Sequence, residues 1–207
     1  KLLGLLTVYE DNEDVEVSFL VDPSYRRHGI ARAMYRSFEK EMASYPIRSV
    51  TFQTERVFLD HHPDLASHWD LVEDEETETW LGRDRTPYAL DSRSDVKVLL
   101  AEPSYLDEIA QLHQQAFSDA EETLEASRRY ITEALKDSDG LLYILLKEAQ
   151  VIGVCTVDLS GNNNYLYGLA VAEAYRGQGY GSYLAKSVVT QLIAQNGTSF
   201  QIAVEDS

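Results

Sequence analysis

The sequence predicts an α/β protein of the α+β kind, built as two successive mixed β-sheets flanked by helices. Three observations carry that expectation. Strand-like apolar segments are interspersed with amphipathic helical ones. The order strand, strand, turn, helix, strand occurs twice, and the two occurrences stand about 150 residues apart.

The repeat opens with Gly4-Leu5-Leu6-Thr7-Val8, echoed 149 residues on by Gly153-Val154-Cys155-Thr156-Val157. Residues 20–31 (LVDPSYRRHGIA) then match 170–181 (AVAEAYRGQGYG), and 49–55 match 199–205, both at a spacing of 150. Such a period is the size of a domain, too long for a solenoid repeat. In the first copy, 2–9 and 15–21 read as a hairpin closed by a polar turn over 10–14. Ile30, Met34, Phe38 and Met42 recur every fourth residue, which places a helix over 30–44 before the strand at 49–55. The second copy repeats this with strands at 151–159 and 165–171, a turn at 160–164, a helix over 180–195 carrying Leu184, Val188 and Leu192, and a strand at 199–205. A strand, crossover helix and strand in that order make a parallel pair beside an antiparallel hairpin.

Upstream of the second copy, 96–100 reads as a strand and Pro103 stands where a helix can begin. Leu106, Ile109, Leu112 and Phe117 mark a helix over 105–117, followed by another over 122–135 and a strand over 141–147. Residues 82–94 (GRDRTPYALDSRS) show no apolar periodicity, so a linker is placed at 86–94 between a first domain over 1–85 and a second over 95–207. Each copy lacks elements that the other shows, and the first residue is Lys1. The expectation is therefore a tandem protein, both of whose domains are incomplete in this chain.

Composition narrows the function. The 207 residues include 35 acidic against 18 basic ones, a net charge of −17, and the pI is near 4.6. That argues against nucleic acid as a partner, because duplex binding depends on Lys and Arg neutralising phosphates. It favours a cationic substrate, without forbidding an anionic ligand held by a local nest of backbone N–H groups. No apolar run reaches the roughly 20 residues of a membrane span, so no membrane partner is expected. The single cysteine, Cys155, excludes an intramolecular disulfide, fits a reducing compartment such as the cytoplasm, and reads as a buried packing residue.

The chemistry centres on Arg26-x-x-Gly29-x-Ala31 and Arg176-x-x-Gly179-x-Gly181, each between a strand and a helix. There, successive N–H groups and the helix dipole can converge on an anion, with a pyrophosphate as the obvious guest. The spacing is not Gly-x-Gly-x-x-Gly, and the Gly-Lys-Ser/Thr of a Walker loop is absent.

On these residues the chain resembles the GNAT superfamily of acetyl-CoA-dependent N-acyltransferases, whose signature is Gln/Arg-x-x-Gly-x-Gly/Ala after a strand. The likeness extends over about 55 residues of each copy and, in the second, over the upstream strand, helices and strand. It implies two tandem GNAT-like domains with acetyl-CoA (coenzyme A) as cofactor. The N–H groups of Arg26, Arg27, His28, Gly29, Ile30 and Ala31, and of Arg176, Gly177, Gln178, Gly179, Tyr180 and Gly181, would hold the pyrophosphate. The strand ends at Leu20 and Val21, and at Leu169, Ala170 and Val171, would bond the pantetheine arm as a sheet edge takes an added strand. The implied reaction is direct attack of a primary amine, on a small molecule or a peptide, at the thioester carbonyl.

A carboxylate on the hairpin's second strand is the family's usual base. Glu16 is the nearest candidate in the first copy, though strand alternation is as consistent with an exposed, idle side chain. The second copy has Tyr165 and Tyr167 there, poor bases near neutral pH. The family's usual acid is a tyrosine after the last matched strand, and 58–69 (FLDHHPDLASHW) contains none. A non-catalytic acyl-CoA-binding or structural role is therefore the competing reading; under either reading a homodimer is one assembly open to the protein. His61, His62, Asp64 and His68 do not match a zinc spacing, so no metal is expected. The acidic run 73–78 reads as a solvated face or a cation-attracting rim, and the 13 tyrosines as packing or as the lining of an acceptor cleft.

Overall fold

The computed structural model describes residues 1–11, 13–73, 77–90, 92–117 and 123–205. Parts of the expected turn at 10–14, the acidic run at 73–78, the linker and the start of the helix at 122–135 lie outside these residues. The chain forms two compact units, Lys1–Asp74 and Glu75–Ser207.

In the first unit, β1 (Gly4–Asp11) and β2 (Asp14–Val21) form the expected hairpin, with Leu5 opposite Leu20 and Tyr9 opposite Glu16. The helix α1 (Ile30–Met42) returns the chain so that β3 (Ser49–Phe52) lies parallel to β2. Alternation along β2 sends Val15 and Val17 into the core against Phe38 of α1. Two short helices that the sequence did not reveal follow, α2 (Arg56–His61) and α3 (Leu65–Trp69). Their anchor is Trp69, whose ring packs on Phe19, Tyr35 and Phe52 at 5.8 Å each.

The second unit is a six-stranded sheet. Its strands in chain order are β4 (Glu78–Arg83), β5 (Lys97–Leu100), β6 (Gly140–Lys147), β7 (Gln150–Asp158), β8 (Asn163–Val171) and β9 (Ser199–Glu205). Across the sheet they run β4-β9-β8-β7-β6-β5, antiparallel throughout except for the parallel β8/β9 pair. One core joins the helix α6 (Tyr180–Gln195), through Leu184, Val188 and Leu192, to Leu145, Ile152, Val157, Leu166 and Phe200. A second joins α4 (Leu106–Phe117) and α5 (Leu124–Ala134), through Ile109, Leu112 and Ile131, to Leu142, Ile144, Val151 and Val154. The strands β6 and β7 feed both cores, which is why they read as nearly unbroken apolar runs. Cys155 sits among them fully buried, its thiol pushed up to about 12 by desolvation.

The strand β4 departs from the expected domain plan. Residues 78–83 read as the tail of a first domain ending at 85, with 86–94 as the linker, yet Glu78–Arg83 pairs antiparallel along the outer edge of β9. The physical reason is that β9 would otherwise leave its main-chain groups unpaired on that side, and Thr79, Trp80 and Leu81 are good strand formers. The stretch after it is also tied into this unit. Arg83 lies over the Tyr88 ring at 3.7 Å, and Arg85 donates to the carbonyls of Ile193 and Asn196 at 2.9 Å each, capping the C-terminus of α6. Among the described residues no helix is long and apolar enough to cross a membrane.

Candidate functional site

Each sheet opens at the equivalent point of its own strands. The β8/β9 pairing runs from Asn163 opposite Ser199 to Leu166 opposite Ile202 and stops, while β8 continues to Val171 beside β7 alone. Likewise β2 and β3 pair from Asp14 to Val17, with one further bond from Gln53 N to Val17 O at 3.3 Å, and β2 continues to Val21. In an antiparallel ladder main-chain groups point alternately to the partner and away. Asp22 N bonds Leu3 O and Ala172 N bonds Ile152 O, each at 2.9 Å. By that alternation Leu20 and Ala170 spend their main-chain groups inside their hairpins. The groups facing the openings belong to Phe19, Val21, Leu169 and Val171.

The turns that follow have the same conformation. A one-turn 3-10 helix, Pro23–Tyr25 or Glu173–Tyr175, leads into two left-handed positions and then the helix. The positive φ values are 65° at Arg27 and 79° at Gly29, against 71° at Gly177 and 80° at Gly179. Glycine suits such angles, whereas Arg27 adopts one at a steric cost. The first helical bonds run from Ala33 N to Gly29 O (2.9 Å) and from Tyr183 N to Gly179 O (3.0 Å). The N–H groups of the first helical turn are therefore unused. None of the amides of residues 27–31 or 177–181 donates to a protein acceptor among the described residues. Each turn is thus a ring of unspent donors.

Side chains hold the rings in shape. Arg26 Nε donates to Val21 O at 3.2 Å and Arg176 Nε to Val171 O at 2.9 Å, so each arginine clasps its turn to the end of its strand. His28 Nδ1 lies 2.7 Å from Arg26 O, and Gln178 Nε2 donates to Ala174 O at 3.0 Å. At the second turn Tyr180 is buried, where the first has Ile30. Its hydroxyl donates to Asp95 Oδ2 and accepts from Lys147 Nζ, and Lys147 also donates to Asp95, all at 2.8 Å. The bonds from Lys147 and Tyr180 hold the Asp95 carboxyl down to about 2, and the same contacts push the Lys147 ammonium upward. Arg93 stacks 4.2 Å over the Tyr180 ring and donates to Gln178 O at 3.2 Å. A cavity of about 290 Å³ opens here, lined among others by Val171, Arg176, Gly177, Gly179, Tyr180 and Gly181. Sequence reasoning missed Arg93, Asp95 and Lys147, because Arg93 falls within the stretch read as linker, Asp95 directly follows it and Lys147 ends a buried strand.

Glu16 is exposed, on the face of the first sheet away from α1, between Tyr9 and Thr51. The strand registers pair Val15 with Val50 and Asn164 with Phe200, so Tyr165 occupies the corresponding position in the second unit, and Tyr167 that of Ser18. Past Tyr167 a β-bulge sets Gly168 and Leu169 against Cys155, with Gly168 at φ 58°. Tyr167 stacks on Tyr165 at 5.7 Å, and Tyr165 on Trp80 at 5.2 Å. The histidines of 61–68 do not converge: His61 bonds Val57 O and His68 meets Arg32.

Comparison with known proteins agrees with this fold. A family model described as the acetyltransferase (GNAT) family matches residues 1–82 and 106–207. A GCN5-related N-acetyltransferase from Sphaerobacter thermophilus superposes with a TM-score of 0.74 at 13% identity, over 99% of this chain and 68% of that one. A tandem GNAT protein from the clavulanic acid biosynthesis pathway gives 0.70 at 14%, over 98% and 70%. A GCN5-related N-acetyltransferase from Kribbella flavida gives 0.63 at 12%, over 99% and 78%. At these identities the likeness is one of fold. No curated protein matches the chain.

Proposed function

Because the chain belongs to the acetyltransferase (GNAT) family, we propose that it transfers an acetyl group from acetyl-CoA to a primary amine. The observation that carries this reading is the ring of unspent amides at 177–181, set at the end of a strand pair that opens toward it. The residues present fit coenzyme A. A diphosphate needs several convergent donors, and the turn offers them beside the start of α6. Arg93, already at the rim of the turn, adds positive charge. The outward main-chain groups of Leu169 and Val171 suit the amides of a pantetheine arm, with the Val171 carbonyl shared with Arg176.

Held there by the amides of 177–181 and the outward groups of Leu169 and Val171, acetyl-CoA would supply the acyl group as a thioester, its sulfur leaving as the amine nitrogen bonds to the carbonyl carbon and taking up the proton that the nitrogen gives up. The chain's contribution is to hold both partners in line, and the acceptor loses its ammonium proton before its nitrogen attacks. The second turn, with its Tyr180 anchor and cavity, is the one to which we assign turnover. The first turn has the same donors in Arg27, His28, Gly29, Ile30 and Ala31, while the Arg26 amide is spent on Pro23 O at 3.4 Å. For the first unit we retain Glu16 as candidate base, acting through water in view of its exposure. The lone, buried Cys155 fits the cytoplasm as the setting.

Calorimetric titration of the intact chain with coenzyme A tests the reading. Binding at one or two sites, weakened by Gly179→Ala at the second turn, is the expected result. No heat with either coenzyme A or acetyl-CoA overturns it.

A further inference from the structure

A second cleft in the Glu75–Ser207 unit lies between α5 and β8. It has a volume of about 320 Å³ and is lined by Tyr130, Glu133, Ala134, Asp137 and Tyr167. Resting on the acyltransfer reading, we propose that this cleft seats the ammonium end of the acceptor, and that the acceptor is an apolar primary amine with no carboxylate beside its nitrogen.

Position is the first argument. Tyr167 is the first residue of β8 beyond its pairing with β9. Four residues, roughly 13 Å of strand, separate it from Val171, where the amide-bearing turn begins. An extended arm anchored by its phosphates at that turn and laid along the strand edge brings its far end to Tyr167. The bulge at Gly168 marks the same spot.

Chemistry is the second. Two carboxylates and two phenols line the cleft, and no lining side chain is basic. Burial, then the charges of Tyr130, Asp158 and Asp137, push the Tyr167 phenol upward. Tyr167 therefore stays an uncharged phenol in the lining, beside carboxylates that attract a cation. An amino-acid acceptor brings its own carboxylate into this negative field and is disfavoured.

The wall beyond the cleft is the third argument. Tyr167, Tyr165 and the half-exposed Trp80 form a stacked row leading away from it, an apolar platform for the carbon skeleton of the amine. The corresponding positions of the first unit are Ser18 and Glu16, which offer no such row. The row and the acidic end together select a cation with an apolar body.

The test compares phenethylamine with phenylalanine, which has the same skeleton plus one carboxylate. With the intact chain, thiol release from acetyl-CoA and calorimetric binding in the presence of coenzyme A are measured for both. We expect phenethylamine to bind and to be acetylated, and phenylalanine to be at least about tenfold poorer. Asp137→Asn and Glu133→Gln are each expected to weaken phenethylamine binding by about tenfold, leaving coenzyme A affinity unchanged. Asp137 Oδ1 also accepts from Asp139 N at 2.9 Å, a bond that asparagine can keep, so the turn survives the exchange. If coenzyme A binds but the two amines behave alike, or phenethylamine does not bind, or neither variant weakens it, the cleft assignment is overturned and the acyltransfer reading stands. If coenzyme A itself does not bind, the underlying reading fails and the cleft assignment with it.

Discussion

Exchanging Gly179 and Gly181 separately for alanine puts the amide ring to a quantitative test. Gly179 has φ 80° and ψ 5°, and a β-carbon there meets only Arg93 Nη1, at 3.9 Å. The penalty is therefore conformational, not steric. A left-handed L-residue costs roughly 1–2 kcal/mol, and the stiffer unfolded chain returns roughly 0.4–1 kcal/mol. The net destabilisation is about 1 kcal/mol, a fall in Tm of about 2–4 °C for a chain of this size. Relief by leaving the left-handed region turns the amides of 180 and 181 away from their common focus, so coenzyme A affinity falls beyond what the stability loss explains. Gly181 is different. It is helical, its β-carbon would rest 3.5 Å from Val171 Cγ2, an ordinary contact, and Ala31 already stands at the matching position of the first turn. Gly181→Ala is expected to stabilise the chain by up to about 1 kcal/mol through helix propensity, and to keep coenzyme A binding. Thermal melts and calorimetry on both variants read these quantities. Equal destabilisation by the two exchanges, or full coenzyme A affinity in Gly179→Ala, would refute the argument that backbone angle at this one residue shapes the binding ring.

Two further outcomes follow from titrating groups. The Asp95 carboxyl is held down to about 2 in the folded chain against an ordinary 3.8, so its contribution to stability is present above about 3.8 and is lost as pH falls towards 2. Urea midpoints measured between pH 4 and pH 2 should decline less steeply in Asp95→Asn than in the parent, and parallel declines would show that the contact with Lys147 and Tyr180 does not contribute. Cys155, fully buried with its thiol near 12, should resist a disulfide reagent at pH 8 in the native chain and react on unfolding; rapid native labelling would contradict its burial.

Much of this architecture is legible from periodicity. Leu184, Val188 and Leu192 mark α6 to the residue, and the matched turns at 26–31 and 176–181 have the same backbone angles. The bulge at Gly168 was also present in the sequence, as the change of repeat spacing from 149 at Gly4/Gly153 to 150 at Val21/Val171, which is one extra residue inserted in the second hairpin. Other features depend on contacts remote in sequence. Arg93 and Asp95 acquire their roles only when the chain brings them to Tyr180, 85 positions beyond Asp95. That Leu20 and Ala170 bond within their hairpins depends on register, which composition does not encode. The short helices α2 and α3 rest on Trp69 finding an aromatic niche, a tertiary effect outweighing weak local propensity.

The place of β4 decides where this polypeptide can be divided. Sequence likeness changes from one copy to the next after residue 82, but the six positions of Glu78–Arg83 that cover β9 are spent on the later sheet. A truncation beginning at residue 86 or 95 would strip that cover and leave a row of bare N–H and C=O groups, a template for self-association. A half-protein prepared that way would be expected to precipitate or pair with itself, whereas one beginning ahead of residue 78 would retain its own seal.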